Sequence, residues 1–181
     1  MNLKEEKLTS RRIFEGKIFK VDVDEVILPD GRHARRECVR HSGGVAVLFV
    51  KEGKIALVRQ FRYIYGEEMY EIPAGKLNDG EQAEVSAARE LEEETGYRAK
   101  KIIRLADIYP TPGYTDEIIS IFYVPDAEYI AQKLDDGEFL DVEFVPEDKV
   151  GQMIRRGEIK DAKTVVAYYR YKEMRASGDI N

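Results

Sequence analysis

Glu90, Glu93 and Glu94 stand at i, i+3 and i+4 within the run Arg89-Glu90-Leu91-Glu92-Glu93-Glu94-Thr95-Gly96-Tyr97. On a helix that spacing puts their carboxylates on one face. Neighbours so placed lie about 5–6 Å apart, and each like-charged pair costs an isolated helix a few tenths of a kcal/mol. These glutamates also fall in the last turns before Gly96, the end where the helix dipole favours cations. At an effective dielectric near 20, two such charges repel by roughly 3 kcal/mol. Arg89 can offset one carboxylate, and a divalent cation can offset the rest. Mg²⁺ takes oxygen ligands, usually one or two carboxylates together with waters and substrate phosphate oxygens. The ordinary alternative, a solvated acidic face, is weakened on three counts. The run has few lysines at i+4, sits at the wrong helix end, and follows a loop bracketed by Gly75 and Gly80.

A helix must hold these side chains, and the pattern predicts one over about 80–95. Asp79 with Gln82 three residues on reads as a capping box, Gly96 as the C-terminal stop, and Ala83, Ala87 and Leu91, with Ala88, as the buried side. Before it, 45–50 and 55–61 read as strands around the turn at 51–54, and 69–72 as a shorter strand ending at Pro73. After it come strands at 102–109 and 118–124, separated by the loop Pro110-Thr111-Pro112-Gly113-Tyr114. A polar stretch, Asp135-Asp136-Gly137-Glu138, precedes a strand at 142–145, and helices at 147–155 and 161–174 follow. The first forty residues read as β structure. Residues 21–28 run up to the turn Pro29-Asp30-Gly31 and 35–39 run back, with Arg32, Arg35, Arg36 and Arg40 making the segment locally basic. Gly43-Gly44 marks a boundary. The pattern is mixed α and β.

The 181 residues, 43% apolar, can build a core, which argues against a disordered chain or a disulfide-built miniprotein. A net charge of −6 argues against a nucleic-acid binder. The longest uncharged apolar run, 42–50, is far short of the roughly 20 residues that span a bilayer. Lys4-Glu5-Glu6-Lys7 is too charged for a signal peptide, and Cys38 is the single cysteine, so a soluble cytoplasmic protein is expected, with no membrane partner. His33, His41 and Cys38 lack the spacing of a zinc site or a nucleophile pair and read as structural. Tyr168, Tyr169 and Tyr171 read as packing on the terminal helix.

Gly75, Glu81, Arg89, Glu90, Leu91, Glu93, Glu94 and Gly96 fill the Nudix box position for position: Gly, five residues, Glu, seven residues, then Arg-Glu-aliphatic-any-Glu-Glu-any-Gly-bulky. The one mild departure is Tyr97, where an aliphatic residue is commoner. Segments 58–62, 71–75, 111–117, 136–138 and 161–164 extend the resemblance, over nearly the whole chain, to the ADP-ribose pyrophosphatase branch, with Pro112 as the proline associated with ADP-ribose specificity. The resemblance implies an α/β (α+β) fold, a Nudix-type α/β/α sandwich around a mixed sheet, preceded by a small N-terminal antiparallel β subdomain. The division expected is 1–42 for the subdomain and 43–181 for the hydrolase domain. In this branch the subdomain commonly swaps across a homodimer and helps build the partner's substrate pocket.

The activity implied is Mg²⁺-dependent hydrolysis of ADP-ribose to AMP and ribose 5-phosphate, with Mn²⁺ as a substitute and a metal-activated water as nucleophile. By resemblance, Glu90, Glu94 and the main-chain carbonyl of Ala74 are metal ligands, and Glu93 is a further ligand or helps activate water. Arg89 orients the glutamates. Glu138 completes the metal site or acts as base, with Asp136 its rival on the same loop. Arg62 is expected at the phosphate or terminal ribose, and Thr111, Pro112, Gly113 and Glu117 at the terminal-ribose pocket. Arg36, Glu37 and Arg40 are expected at the partner's adenosine end, Ile18 and Phe19 against adenine, and Lys76 as a further substrate contact. Rival readings are hydrolysis of another nucleoside diphosphate sugar such as GDP-mannose, and a non-catalytic ADP-ribose sensor. Sensors usually have an eroded glutamate set, whereas every box glutamate is present here. A calcium module is excluded by the absence of an EF-hand loop.

Overall fold

The structure, a computed structural model, describes residues 2–180. The chain divides into two units, Met1–Gly43 with Tyr109–Ile118, and Gly44–Ile108 with Ile119–Asn181.

The first unit is an antiparallel sheet of β1 (Glu6–Glu15), β2 (Phe19–Ile27) and β3 (His33–His41), in that order. β2 and β3 pair in register from Phe19 opposite His41 to Ile27 opposite His33. Gly31, at φ 88°, closes the turn between them. The alternation along β2 is inverted relative to hydropathy, because Asp22 and Asp24 are buried while Val21 and Val23 are half-buried. Burial of the two aspartates is tolerated because arginines meet them: Arg12 Nε lies 2.5 Å from Asp22 Oδ1, and Arg40 reaches both carboxylates. All of β1 is exposed. Residues 114–116 run parallel beside β3, with Val39 N–H donating to Tyr114 O (2.7 Å) and Asp116 N–H to Val39 O (3.2 Å).

The second unit is built on a mixed sheet of order β10-β5-β4-β9-β8. Its elements are β4 (Gly44–Lys51), β5 (Lys54–Arg62), β6 (Glu67–Glu71), β7 (Ala74–Lys76), α1 (Ala83–Thr95), β8 (Tyr97–Ile108), β9 (Ile119–Tyr129), β10 (Leu140–Pro146), α2 (Glu147–Arg155) and α3 (Ala162–Ser177). β4 and β9 run parallel; β6 pairs with β5 and β7 with β4. The period-2 geometry of β4 splits its side chains between two cores. Ala46, Leu48 and Val50 face Val150, Met153, Tyr168 and Tyr171 of α2 and α3, and Val45, Val47 and Phe49 face Ala87 and Leu91 of α1. Helices thus cover both faces, giving the α/β/α sandwich.

Three local expectations are corrected. The helix begins at Ala83, and its N-cap, Gln82, makes no side-chain cap bond. The capping box does not form, because Asn78 N–H donates to Glu81 (3.1 Å), which also takes Arg89, so the loop is closed by a different carboxylate. Ala83 and Ala88 are only half-buried, and Ser86 and Glu94 join Ala87 and Leu91 inside. β8 begins directly after Gly96 and not at 102. Its exposed Arg98, Lys100 and Lys101 and its shifts of register hide the strand from a hydropathy pattern. Gly96, at φ 77°, ends α1 as expected, and Asp161 caps α3 by accepting Thr164 N–H (3.0 Å). Among the described residues no helix is long and apolar enough to cross a membrane.

Candidate active site

The 13 residues of α1 pack on the sheet through Ala87 and Leu91, and this brings Glu94, on the same buried side, and Glu90 at its edge up to β7. Glu94 is 3% exposed and accepts Ala74 N–H at 3.0 Å. Burial pushes its carboxyl up to about 8; the Ala74 N–H opposes that rise, while the charges of Glu90 and Glu138 add to it. Burial likewise pushes Glu90 up, against the pull of Arg89. Gly75 is needed for this approach, since a Cβ there would fall 2.0 Å from Glu90 Cδ.

Arg89 organises the cluster. Its Nη1 donates to Glu90 Oε1 (2.7 Å) and Glu93 Oε2 (2.8 Å), while Nε and Nη2 grip Glu81 at 3.0 and 3.1 Å. Nη2 also reaches Lys76 O (3.3 Å). Hydrogen bonds from Arg89 hold the Glu81 carboxyl down at about 2. The Lys76 side chain itself is exposed. Glu138 and Asp136 lie exposed in the loop before β10, on a turn that Gly137 makes at φ 87°. Asp135 N–H donates to Glu138 Oε2 (3.3 Å), and Glu138 is near enough to raise both Glu90 and Glu94.

The donor set consists of hard carboxylate oxygens, two of them raised by burial, above a glycine whose missing Cβ leaves room. It fits a divalent cation such as Mg²⁺. Among the described residues no three acidic, histidine or cysteine side chains are already drawn round one point, and Arg89 balances Glu90 and Glu93. Gly75→Ala should therefore weaken cation binding about tenfold or more by displacing Glu90. The melting temperature should change little, because the clash is with the far end of a flexible side chain. Metal titration of activity alongside thermal melts checks both halves.

Beside Ala74 lies a partly buried ion cluster that joins Arg62, expected at the substrate, to Glu71 and to two charged residues of the 161–164 segment. Arg62 holds Glu71 in a bidentate pair (2.6 and 2.7 Å), Lys163 Nζ meets the same carboxylate at 2.5 Å, and Asp161 meets Lys163 at 2.9 Å. Glu71 is 2% exposed, and Ile72 N–H donates to Thr164 Oγ1 (2.9 Å). Lys163 lies 92 positions from Glu71 in sequence, and no local pattern announces the contact.

In the first unit the expected residues fall as follows. Ile18 and Phe19 are exposed, and the Phe19 ring packs 5.6 Å from that of Phe14. Arg36 pairs with Glu5 through two bonds (3.0 and 2.5 Å), and Glu37 is exposed. Arg40 has each guanidinium nitrogen on a carboxylate: Asp22 (3.2 Å), Asp24 (3.1 Å) and Asp116 (3.2 Å). Pro112 and Gly113 are exposed in a turn, with Thr111 half-buried. Glu117 Oε1 lies 3.5 Å from His41 Nδ1, which itself accepts Gly43 N–H (3.0 Å).

A family model described as the NUDIX domain matches residues 39–168, and one described as the nucleoside diphosphate sugar hydrolase N-terminal domain matches 5–39. The chain is 42% identical to the ADP-ribose pyrophosphatase of Bacillus subtilis (strain 168), over 95% of this chain and 96% of that one. It is 41% identical to the methanol dehydrogenase activator of Bacillus methanolicus over 90% of each. The ADP-ribose pyrophosphatase of Mycobacterium tuberculosis is 33% identical over 85% of this chain and 76% of its own. A crystal structure of an ADP compounds hydrolase superposes with a TM-score of 0.87 at 18% identity, covering 99% of this chain and 100% of the other.

Proposed function

The chain belongs to the Nudix family of pyrophosphohydrolases, and from that premise we propose that it hydrolyses ADP-ribose to AMP and ribose 5-phosphate in the cytoplasm, using Mg²⁺, with Mn²⁺ as a substitute. The observation that carries the substrate is the 42% identity to an ADP-ribose pyrophosphatase along 95% of the chain, both units included. The half-buried Glu90 and buried Glu94, mutually repelling, with Glu138 in electrostatic reach, support the metal chemistry.

Glu90, Glu94 and the main chain of Ala74 would hold the cation, with Glu93 as a further ligand. A divalent cation bound there supplies charge neutralisation to the diphosphate and lowers the pKa of a water. Arg89 keeps the glutamates aimed by charge-assisted hydrogen bonds. Glu138 accepts the proton of the attacking water, as a general base must within hydrogen-bond reach. Arg62, steadied by Glu71, takes a phosphate oxygen. Thr111, Pro112, Gly113 and Glu117 meet the terminal ribose; Ile18, Phe19, Arg36 and Glu37 meet the adenosine end. We assign the functional form to a homodimer with exchanged N-terminal units. The supporting observation is that β1 is exposed along its whole length, with Leu8, Ile13 and Phe14 on it, an apolar surface that a partner would cover.

A product assay over a panel of nucleoside diphosphate sugars tests the reading. ADP-ribose should yield AMP with kcat/KM well above that of GDP-mannose, and chelator should abolish it. Preference for GDP-mannose would replace the substrate and keep the metal site. Tight ADP-ribose binding without turnover would make the protein a sensor.

A further inference from the structure

We propose that Asp116 is a positioning residue: held by the Arg40 guanidinium and the His41 main-chain N–H, it hangs the 111–117 segment on β3 and so sets Thr111, Pro112, Gly113 and Glu117 against the sugar end of the substrate. The inference rests on the reading that this segment meets the terminal ribose.

The geometry is a two-sided clamp. Asp116 Oδ1 accepts His41 N–H at 2.9 Å, and Oδ2 accepts from Arg40 Nη1 at 3.2 Å. Main-chain bonds flank it, from Val39 N–H to Tyr114 O (2.7 Å) and from Asp116 N–H to Val39 O (3.2 Å). An exposed ion pair alone would contribute little. This guanidinium, however, is already fixed by Asp22 and Asp24, both buried, so little side-chain freedom remains to be lost when Asp116 binds. The same clamp carries Glu117, the next residue, beside His41.

The segment needs such an anchor because its own turn is weak. Its closing bonds, Tyr114 N–H and Thr115 N–H to Thr111 O, are 3.4 and 3.2 Å long, and Pro112 and Gly113 are exposed. Proline stiffens φ at one position, and the segment's other internal bond, Glu117 N–H to Thr115 Oγ1 (3.1 Å), lies beyond the turn, so its direction is set by what holds residues 114–117. Arg40 thereby acts behind the pocket, its three nitrogens spent on carboxylates, and the acidic trio explains why an arginine stands on β3 at that position.

The test combines hydrogen exchange with steady-state kinetics on Asp116→Ala, Arg40→Ala, their double variant and Asp116→Asn. Asp116→Ala should lower protection of the Val39, His41 and Asp116 amides about tenfold. It should raise KM for ADP-ribose about tenfold, the loss of one charge-assisted bond, with kcat within about threefold. Preference for ADP-ribose over ADP-glucose should narrow by the same factor. Asp116→Asn, which keeps an acceptor for His41 N–H, should recover part of each loss. The double variant should be no worse than the poorer single within about twofold, as for partners in one interaction. Fully additive losses, equal losses on both sugars, or unchanged protection in Asp116→Ala would overturn the proposal. Failure of the functional reading would show in the wild-type enzyme as no AMP from ADP-ribose; the exchange arm needs no turnover, and unaltered protection there still sinks the clamp.

Discussion

Glu94→Gln should lower kcat/KM by about 10³-fold, about 4 kcal/mol of barrier, while making the metal-free protein more stable at pH 8. The two effects share one cause. Glutamine fills the same space and still accepts the Ala74 N–H, but it brings no charge into a site where Glu94 is 3% exposed. For the cation that charge is the point of attachment. For the metal-free fold it is a burden, since burial raises the carboxyl from 4.5 to about 8. An acid raised on folding binds more protons in the folded than in the unfolded chain between those two values. Wild-type stability should therefore fall as pH rises through that window, by on the order of a few kcal/mol. The glutamine variant should lack that part of the slope. Thermal melts in chelator from pH 5 to 8.5, with kinetics in Mg²⁺, read both. Near-normal turnover would remove Glu94 from the metal site, and parallel melting profiles would remove the buried-charge argument.

The glutamate face, its helix and the Gly96 stop were legible because each is a local pattern: i, i+3, i+4 spacing and a left-handed terminal glycine. β4 was legible because both its faces are buried and its apolar run is unbroken, and β5 because its first half, Ile55 to Val58, shares that character. What escaped is what depends on distant partners. Asp79 looked like a cap, but Glu81 is drawn into the loop by Arg89, eight residues on. Lys163 joins Glu71 only when the start of α3 meets the end of β6, and a lysine at a helix start gives no sign of burial. On β2 the strand was visible but its inward face was not, since whether Asp22 or Val23 turns inward depends on Arg12 and Arg40 from the flanking strands. Local periodicity shows where an element lies; the burial of a charge is decided by partners that periodicity does not name.

Glu138→Gln should lower kcat by about 10²–10³-fold, the usual contribution of a positioned general base, with substrate affinity changed by less than about threefold. The expectation follows from where Glu138 sits. It is exposed, on a turn made by Gly137, and the one side-chain hydrogen bond it makes among the described residues, from the Asp135 N–H, is one that glutamine can also accept. The loop should therefore keep its shape while the acceptor of the water's proton is lost. Glu138 also bears on Glu90 and Glu94, so the rival role, a ligand completing the metal site, makes a different forecast. A ligand's loss should raise the Mg²⁺ concentration for half-maximal activity, and saturating metal should restore much of the rate. A base's loss should leave that concentration unchanged and the rate low at every metal level. Asp136→Asn, two residues away on the same turn, is the control: a comparable fall in kcat there, with Glu138→Gln near normal, would move the base to Asp136. Single-turnover rates across a Mg²⁺ titration decide among the three, because a missing proton acceptor and a missing ligand separate on the metal axis even when they give the same kcat at one concentration.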